Sequence, residues 1–481
     1  MKRLGWRPGR RGEGLARGPR CFVALVLGII AGLLWTELPV DDLVTHVSAA
    51  HRPPAQHGLS WLSVHDRRIV DESGRTVLLR GFNTSTLLES TVLRSPLDDE
   101  DAAMIESDGF DVVRVAVSWG RLEPQRGQWD RGYLDDIAAT VRMLTAHHLW
   151  VVLDMHFLDW SSSFGGSGAP AWANVPLAPD LHLSLLGDWQ RHLSPAVNLA
   201  NSYFWVSPDW QADYMRAWQL LAERFRSDSG VAGYDLYNEP HAIPLPPVRF
   251  EKDLMWPLYA HTIDAIGAVD PNHLFIVEGQ LLSAFGTAIV PLRAPNLVYS
   301  PHEYTGSLVP PIFDGNPQPL DDHVRQSANE AFRVPGALWI GEWGISATQF
   351  QAPTWIDDAL AAFTAAGAGW AWWQWREDSP WGVRDTAGHT NLTLLDHLAR
   401  PYLAAAPGGV SVAAPAAAGV TLALTVDGTY GGGDIEVSYP ALQHPPQVSS
   451  TCAEFSSRWD PTTARLAISA AAGGPCTIAT N

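Results

Sequence analysis

The sequence predicts an α/β protein in which a (β/α)8 (TIM) barrel is followed by a small C-terminal antiparallel β-sandwich. Over residues 61–400, apolar runs alternate with amphipathic segments, as expected of parallel strands covered by helices. Eight such runs can be distinguished, which is the strand number of this barrel. After residue 400 the helical periodicity disappears and short alternating runs are separated by Gly, Asp and Pro.

Each predicted barrel strand is a short and mostly apolar run. The runs are 77–82, 112–119, 150–156, 231–238, 273–278, 297–304, 337–342 and 369–375. Amphipathic stretches between them predict helices over 133–147, 211–226, 256–269 and 353–366. A doubly wound open sheet is the structural alternative. The absence of a Gly-rich phosphate-binding sequence after the first strand favours the barrel.

Two long connections and the C-terminal region complete the predicted organisation. Residues 157–209 follow the third strand and residues 307–319 follow the sixth, where barrel enzymes build their active sites. We predict that residues 401–481 form the sandwich. Within them, strands are expected at 420–426, 434–439 and 464–470, and the Ala/Pro/Gly-rich stretch 404–418 is expected to be a linker or an edge segment.

The N-terminus predicts targeting. Seven basic residues and one acidic residue occupy positions 1–20, and fifteen uncharged, mostly apolar residues follow at 21–35. This pattern is typical of a signal peptide or an uncleaved signal-anchor, so we assign residues 1–50 to it and residues 51–60 to a linker. The chain is therefore expected to be exported, either secreted or anchored to the membrane. A disulfide between Cys452 and Cys476 would agree with an oxidising compartment, although two thiols can also occur by chance.

The composition excludes two broad classes. With 46% hydrophobic and 17% charged residues the chain is globular and not disordered. Its net charge of −19 argues against a nucleic-acid partner, because phosphate binding needs clustered cations. We expect a monomer.

Two glutamates at the ends of predicted strands are the leading catalytic candidates. Glu239 lies in the sequence YNEP at the end of the fourth strand, and Glu342 lies in IGEWG at the end of the seventh. In a barrel, the carboxyl ends of the strands converge on one face. Two carboxylates facing each other across a sugar can cleave a glycosidic bond, with retention when they are close and with inversion when they are farther apart. The sequence does not supply that separation.

Further polar and aromatic residues fall at the ends of the other strands. They are Arg114, His156, Asn238, His302, Tyr304 and Trp373. A single Arg or His is usually an ion-pair or a hydrogen-bonded structural residue, but the coincidence of all six is informative. Arg114 and Tyr304 are positioned to lower the pKa of Glu342 and keep it ionised, whereas Glu239 would need a raised pKa to act as an acid. Asn238 is placed to donate to a sugar hydroxyl.

These motifs resemble glycoside hydrolase family 5, over about residues 60–400. The resemblance implies a retaining mechanism with Glu239 as acid/base and Glu342 as nucleophile, and it implies supporting roles for the six residues above. Within the family the chain is similar to endoglycoceramidases, in the sequences DMH (154–156), GAPAWA (168–173) and GYDLYNEP (233–240), and in its C-terminal β-domain. One departure is that His156 is followed by Phe157-Leu158. Asp159 is then the candidate sugar-binding aspartate, displaced by one position.

The resemblance implies hydrolysis of the β-linkage between a glycan and a lipid. The alternatives are an endo-β-glucanase, mannanase or β-glucosidase acting on glycans without lipid, and a binding protein on a former hydrolase scaffold, which the intact glutamates argue against. Aromatic residues of the long connection, Trp160, Phe164, Trp172, Phe204 and Trp205, suit either a lipid aglycone or a loop core. The expected partners are a glycolipid or β-glycan substrate and a membrane surface. No cofactor or metal is called for, since His147-His148 is expected to be the polar end of a helix.

Overall fold

The computed structural model describes residues 42–48, 51–90, 94–181, 194–243, 245–281, 287–413, 421–440, 445–471 and 474–481. Its strands, in chain order, are β1 (Leu43–Val44), β2 (Ser63–His65), β3 (Arg68–Val70), β4 (Thr76–Val77), β5 (Arg80–Thr84), β6 (Val112–Val117), β7 (Trp150–Met155), β8 (Val231–Asp235), β9 (Leu274–Val277), β10 (Leu292–Arg293), β11 (Leu297–Tyr299), β12 (His302–Glu303), β13 (Ala337–Trp343), β14 (Gly369–Trp372), β15 (Tyr402–Ala406), β16 (Val410–Ala413), β17 (Leu422–Val426), β18 (Gly433–Ser438), β19 (Val448–Ser450), β20 (Phe455–Asp460), β21 (Arg465–Ala470) and β22 (Cys476–Thr480).

The α-helices occupy the connections between the parallel strands. They are α1 (Asp99–Ser107), α2 (Trp119–Leu122), α3 (Arg131–Ala146), α4 (Pro195–Phe204), α5 (Pro208–Phe225), α6 (Pro247–Phe250), α7 (Trp256–Gly267), α8 (Gln318–Arg333), α9 (Ala352–Ala366) and α10 (Leu392–Leu398). A π-helical turn, Glu251–Met255, joins α6 to α7, and single 3₁₀ turns lie at Ser162–Phe164 and Ala171–Ala173. The predicted helices correspond to α3, α5, α7 and α9.

A closed parallel barrel confirms the predicted fold. Its hydrogen-bonded order runs from β5 through β6, β7, β8 and β9 to β11, and then through β13 and β14 back to β5. The barrel strands are buried along nearly their whole length. This burial explains why they read in the sequence as continuous apolar runs and not as alternating ones.

The sixth barrel strand is broken in two, which matters for the site. Both β11 and β12 pair with β13, and Ser300 and Pro301 interrupt them. Proline has no N–H to donate to the ladder, so the strand cannot continue through it. The resumed pairing sets His302 directly opposite Glu342. The local sequence thus places the histidine beside the second glutamate.

The amino end of the barrel is closed by an antiparallel sheet. Its strand order is β2-β3-β4-β15-β18-β21-β20, so it combines strands that precede the barrel with strands that follow it. Ile69, Val77 and Ala405 from this sheet pack in one core cluster with barrel residues such as Val152 and Trp339. A second antiparallel sheet, β16-β17-β22-β19, completes the C-terminal unit. The seven-stranded sheet therefore draws on residues from both sides of the predicted boundary at 400.

The stretch 404–418 is not simply a linker. Its first residues belong to β15, an interior strand of the seven-stranded sheet, and residues 410–413 form β16. Ala405 faces the barrel core while Leu403 and Ala406 contact the sandwich core. Small side chains suit a strand that is buried on both faces, as β15 is, whereas β16 lies at the edge of its sheet, as the alternative of an edge segment predicted. Residues 414–420 lie outside the described part of the chain.

Residues 51–60 pack on the body. The Arg52 guanidinium donates to the carbonyl oxygens of Leu62 at 2.8 Å and Asn272 at 2.9 Å, and the backbone N–H of Gln56 donates to Ser229 Oγ at 2.7 Å. These contacts anchor the segment to the amino end of the barrel, where a sequence rich in Pro and Gly had predicted a linker.

The predicted export signal receives no support and is corrected. Its apolar segment, residues 21–35, lies outside the described residues, and among the helices that are described none has the length and apolar character needed to cross a membrane. The expectation that the protein is exported, and is either secreted or anchored to the membrane, is therefore wrong.

Cys452 and Cys476 are joined in a disulfide with a Cα–Cα distance of 5.0 Å, and both pack against the sandwich core.

Candidate active site

Arg114 organises the carboxyl end of the barrel. It lies on β6, its side chain is completely buried, and its guanidinium is surrounded by acceptors. They are Asp235 Oδ2 (2.8 Å), Glu278 Oε1 (2.8 Å), Asn83 Oδ1 (3.0 Å), Asn238 Oδ1 (3.1 Å), Asp154 Oδ1 (3.1 Å) and Glu342 Oε2 (3.3 Å). Burial alone would lower the pKa of Arg114, but the surrounding carboxylates raise it well above its ordinary value. The Arg114 guanidinium therefore stays protonated in its buried position.

Glu342 ends β13 and is held from three sides. The Tyr304 hydroxyl donates to Oε1 at 2.8 Å, Arg114 donates to Oε2 at 3.3 Å, and His302 Nδ1 lies 3.7 Å from Oε1. A Cβ on the preceding Gly341 would lie 2.2 Å from the hydroxyl oxygen of Ser300, so a larger residue there would have to displace that hydroxyl.

The expectation that Glu342 has a lowered pKa is wrong. Burial raises the pKa of this carboxyl and the charge of Glu239 adds to the increase, while His302 and Arg114 oppose it without cancelling it. The predicted contacts with Arg114 and Tyr304 exist, but the extent to which Glu342 is desolvated depends on the folded structure. Glu342 therefore ionises at a higher pH than an ordinary glutamate.

Glu239 occupies a strained position immediately after β8. Its backbone φ is 50°, a left-handed conformation that residues other than glycine seldom adopt. Its N–H donates to Glu278 Oε2 at 2.7 Å, and its Oε1 lies 3.0 Å from His302 Nδ1. Such strain persists only where the surroundings fix it, and it concentrates at functional sites.

The two glutamates face each other closely. One carboxylate oxygen of Glu239, one of Glu342 and a ring nitrogen of His302 all lie within 4.8 Å of one another. Retaining glycosidases hold their two carboxyl groups roughly 5–5.5 Å apart, whereas inverting enzymes leave roughly 6.5–9.5 Å for a water molecule. The observed spacing matches the retaining class.

His302 bridges three carboxylates. Besides its contacts with Glu239 and Glu342, its Nε2 lies 3.2 Å from Glu278 Oε1. Burial lowers the pKa of the imidazole, but Glu278 and Glu342 outweigh it and raise the pKa well above the ordinary value. The surroundings of His302 therefore favour the imidazolium.

His156 and Trp373 form one wall of the site. His156 Nδ1 lies 2.7 Å from Asp154 Oδ2, and the imidazole stacks on the Trp373 indole with centroids 5.2 Å apart and planes 12° apart. Trp373 remains partly exposed. An exposed indole face at this end of a barrel can stack on the apolar face of a sugar ring.

Asn238 and Asp159 differ in how the structure places them. The Asn238 side chain accepts from Arg114 and donates to the Phe157 carbonyl at 3.1 Å, so its amide is oriented beside the two glutamates. Asp159 is buried in the loop after β7 with a φ of 49°, and its carbonyl accepts from the Ser161 N–H at 2.8 Å. Asp159 is not among the residues that the contacts above join to the glutamates.

The sequence reasoning missed four polar residues of the site. They are Asn83, Asp154, Asp235 and Glu278, and each contacts Arg114. A signal was available for the three acids, since each interrupts or ends an apolar barrel strand, and a buried carboxylate requires a partner. Arg114 was the one cation predicted at that end of the barrel.

The aromatic residues of the long connection form a loop core. Trp160, Phe204 and Trp205 are almost completely buried, and Phe204 contacts the rings of Trp160, Trp205 and Tyr237. Trp172 and Phe164 are partly exposed. Of the two interpretations that the sequence left open, the packing supports the loop core for the buried three.

Among the described residues, two groups of side chains have the spacing of metal ligands, namely Glu239 with His302 and Glu342, and Asp154 with Asp235 and Glu278. In the second group each carboxylate contacts the Arg114 guanidinium, which already supplies a positive charge. In the first group the neighbouring carboxylates raise the pKa of His302, so a proton competes with a metal for its ring lone pair. Both groups are suited to holding protons.

Comparison with known proteins defines the class. The family model described as Cellulase (glycosyl hydrolase family 5) matches residues 70–379, and the chain belongs to that family. The nucleophile and acid/base positions of such an enzyme would be the two facing glutamates.

Individual relatives are similar over different extents. Endoglycoceramidase I of Rhodococcus hoagii is 30% identical over 282 residues, which cover 54% of this chain and 56% of that protein. The chain thus spans about half the length of this curated relative. The lactosyl-enzyme intermediate of endo-glycoceramidase II from Rhodococcus sp. superposes with a TM-score of 0.75 at 27% identity, covering 86% of this chain and 98% of that one. The ganglioside GM3 complex of the same enzyme gives 0.76 at 25% identity, covering 87% and 99%.

Proposed function

We propose that this protein is a retaining β-glycosidase that hydrolyses the bond between a glycan and a lipid aglycone. The observation that carries the chemistry is the pair Glu239 and Glu342, with carboxylate oxygens within 4.8 Å in a family 5 barrel. The aglycone is inferred from relatives named endoglycoceramidases, one of which is described as a lactosyl-enzyme intermediate and as a ganglioside complex.

In the first step, the Glu342 carboxylate attacks the anomeric carbon. The bond from that carbon to the aglycone oxygen breaks while Glu239 donates its proton to this oxygen, which leaves a covalent glycosyl ester on Glu342. In the second step, Glu239 removes a proton from water, the water oxygen attacks the anomeric carbon, and the ester bond breaks. Both glutamates end in their starting protonation states.

The supporting residues have separate tasks in this scheme. Arg114 and Tyr304 donate to Glu342 and orient it toward the anomeric carbon. Asn238 is fixed beside Glu239 and offers its amide to a sugar hydroxyl. Trp373, backed by His156, supplies a flat surface for the sugar ring.

A lipid aglycone is also supported by the surface around the site. Large apolar side chains are exposed on connections that leave the carboxyl ends of the barrel strands, the face that holds both glutamates. They include Leu177 after β7, Leu245 after β8, Leu308 and Ile312 after β12, and Phe350 after β13. Exposed apolar side chains on the connections at this face are available for contact with a lipid. Presentation of the substrate at a membrane surface and a monomeric state stay predictions.

A substrate panel tests the proposal. Wild-type protein is incubated with lactosylceramide in detergent micelles and, separately, with soluble β-glucan, β-mannan and an aryl β-glucoside; the Glu342→Gln variant serves as the inactive control. We expect ceramide and intact lactose, detected by mass spectrometry. Oligosaccharides from the soluble polymers without release of ceramide would assign the protein to the endo-β-glucanase or mannanase alternative. Release of glucose alone from small glucosides would assign it to the β-glucosidase alternative.

A further inference from the structure

We propose that Glu278 is a positioning residue for the acid/base: its carboxylate keeps His302 doubly protonated and fixes the backbone of Glu239. This inference rests on the proposed function and deepens it. Glu278 follows β9, is only 2% exposed, and was not among the residues expected from the sequence.

The two carboxylate oxygens of Glu278 contact two different groups, the backbone of Glu239 and the imidazole of His302. Oε2 accepts the Glu239 N–H at 2.7 Å, and Oε1 lies 3.2 Å from His302 Nε2. The opposite ring nitrogen of His302 lies 3.0 Å from Glu239 Oε1. Glu278 therefore contacts both the backbone of Glu239 and His302, and His302 in turn contacts the Glu239 side chain.

The geometry at His302 favours the imidazolium. Glu278 and Glu239 approach its two ring nitrogens from opposite sides, at 3.2 Å and 3.0 Å. The contact with Glu278 is an ion pair without hydrogen-bond geometry, so Glu278 stabilises the imidazolium through its charge. When Glu239 is ionised, the Nδ1–H of the imidazolium donates to Glu239 Oε1.

Other charged groups close to His302 either favour its protonated form or are bound to other residues. Glu342 lies opposite it on β13 and also favours the imidazolium, and the Tyr304 hydroxyl is engaged by Glu342. The adjacent Glu303 is bound to His323 at 2.6 Å. Arg114 reaches Glu278 but not His302 in the contacts observed, and it orients Glu278 Oε1 at 2.8 Å.

The backbone contact has its own consequence. Glu239 is held at a φ of 50°, a left-handed conformation that is unfavourable for a residue with a side chain. A charge-assisted hydrogen bond from its N–H to Glu278 offsets part of that cost. Without the carboxylate, the main chain can relax and carry the Glu239 side chain away from the scissile oxygen.

The test is Glu278→Gln, which retains the shape and acceptor oxygen but removes the charge. The histidine ring nitrogens are labelled with ¹⁵N, and His302 is assigned by comparison with His302→Asn. We expect the pKa of His302 to fall, since an opposite charge has been removed. Hydrolysis of a substrate with a poor leaving group should fall at least about tenfold more than that of an activated aryl glycoside, which needs little protonation.

Glu330→Gln is the matched control, because Glu330 is also a buried glutamate but its carboxylate accepts from the Tyr299 hydroxyl at 2.7 Å and does not contact His302, Arg114 or Glu239 in the structure. It should leave the pKa of His302 and the ratio of the two activities unchanged. Equal loss on both substrates by Glu278→Gln, or an unchanged His302 pKa, would overturn the proposal.

If Glu278→Gln does not fold, the wild-type titration decides. Both ring nitrogens of His302 should carry protons at pH 7.5, and a neutral ring would contradict the inference. A failure of the proposed function is distinguishable, because wild-type protein would then release no ceramide from lactosylceramide, whatever the protonation of His302.

Discussion

The two ends of the barrel bury charge in different ways. At the carboxyl end, Arg114 meets four carboxylates and a fifth, Glu239, lies within reach of His302. At the amino end, the single carboxylate of Asp111 accepts from the Tyr402 hydroxyl at 2.8 Å and from the backbone N–H of Arg80 at 2.8 Å, and it is paired with the cation Arg465.

The difference separates function from stability. An excess of buried carboxylates disfavours their ionised forms, and burial raises the pKa of Asp235 and that of Glu342. At the amino end, hydrogen bonds and Arg465, 3.7 Å from Asp111, connect the barrel to the sandwich. The carboxyl end therefore gathers carboxylates suited to proton transfer, while the amino end holds two parts of the fold together.

The largest expected effect is on activity at the carboxyl end. Glu342→Gln should reduce turnover roughly 10⁴-fold or more, because it removes the nucleophile. Its free energy of unfolding should not decrease at neutral pH, since the substitution removes a carboxylate whose ionised form is disfavoured by burial. Steady-state kinetics and urea denaturation measure the two quantities. Unchanged turnover would contradict the assignment of Glu342.

The next effect concerns stability far from the glutamates. The disulfide between Cys452 and Cys476 closes a loop with a sequence separation of 24. Replacing both cysteines by serine should lower the stability of the C-terminal unit by about 3–4 kcal/mol, through the greater entropy of the unfolded chain. Thermal unfolding of oxidised wild type and the double variant measures this change. Activity at 25 °C should persist, and its loss without a change in stability would contradict the separation of roles.

Asp111 should make stability depend on pH at the amino end. Burial raises its pKa to about 6, so the folded state binds this proton more tightly than the unfolded chain, whose pKa is about 4. The contribution is complete below pH about 4 and is lost as the pH rises through about 6. The free energy of unfolding of the wild type, minus that of Asp111→Asn, should therefore fall by up to about 3 kcal/mol between pH 4 and pH 7. A pH-independent difference would contradict the raised pKa.

The comparison also shows what the sequence could predict. The eight strands and the pair Glu239 and Glu342 were accessible, because buried parallel strands are continuous apolar runs and polar residues at their ends converge. Glu278 was overlooked although it ends a predicted strand, since its importance depends on the distances to His302 and Arg114.

Desolvation and long-range pairing were not accessible. The raised pKa of Glu342 arises from burial, which outweighs contacts that were correctly expected. The strand β15 pairs with β4, more than 300 residues earlier in the chain, and no local pattern distinguishes such an alanine-rich strand from a linker.

The central claim is that Glu239 and Glu342 perform double displacement, and trapping the intermediate tests it most directly. Glu239→Gln lacks the acid/base, but an activated aryl β-glycoside needs little acid to leave, so glycosylation should proceed while hydrolysis of the ester is slowed by about 10²–10⁴-fold. Intact-mass spectrometry during turnover should show one added glycosyl group, and peptide mapping should place it on Glu342. Steady turnover with no adduct, or an adduct on another residue, would contradict the account.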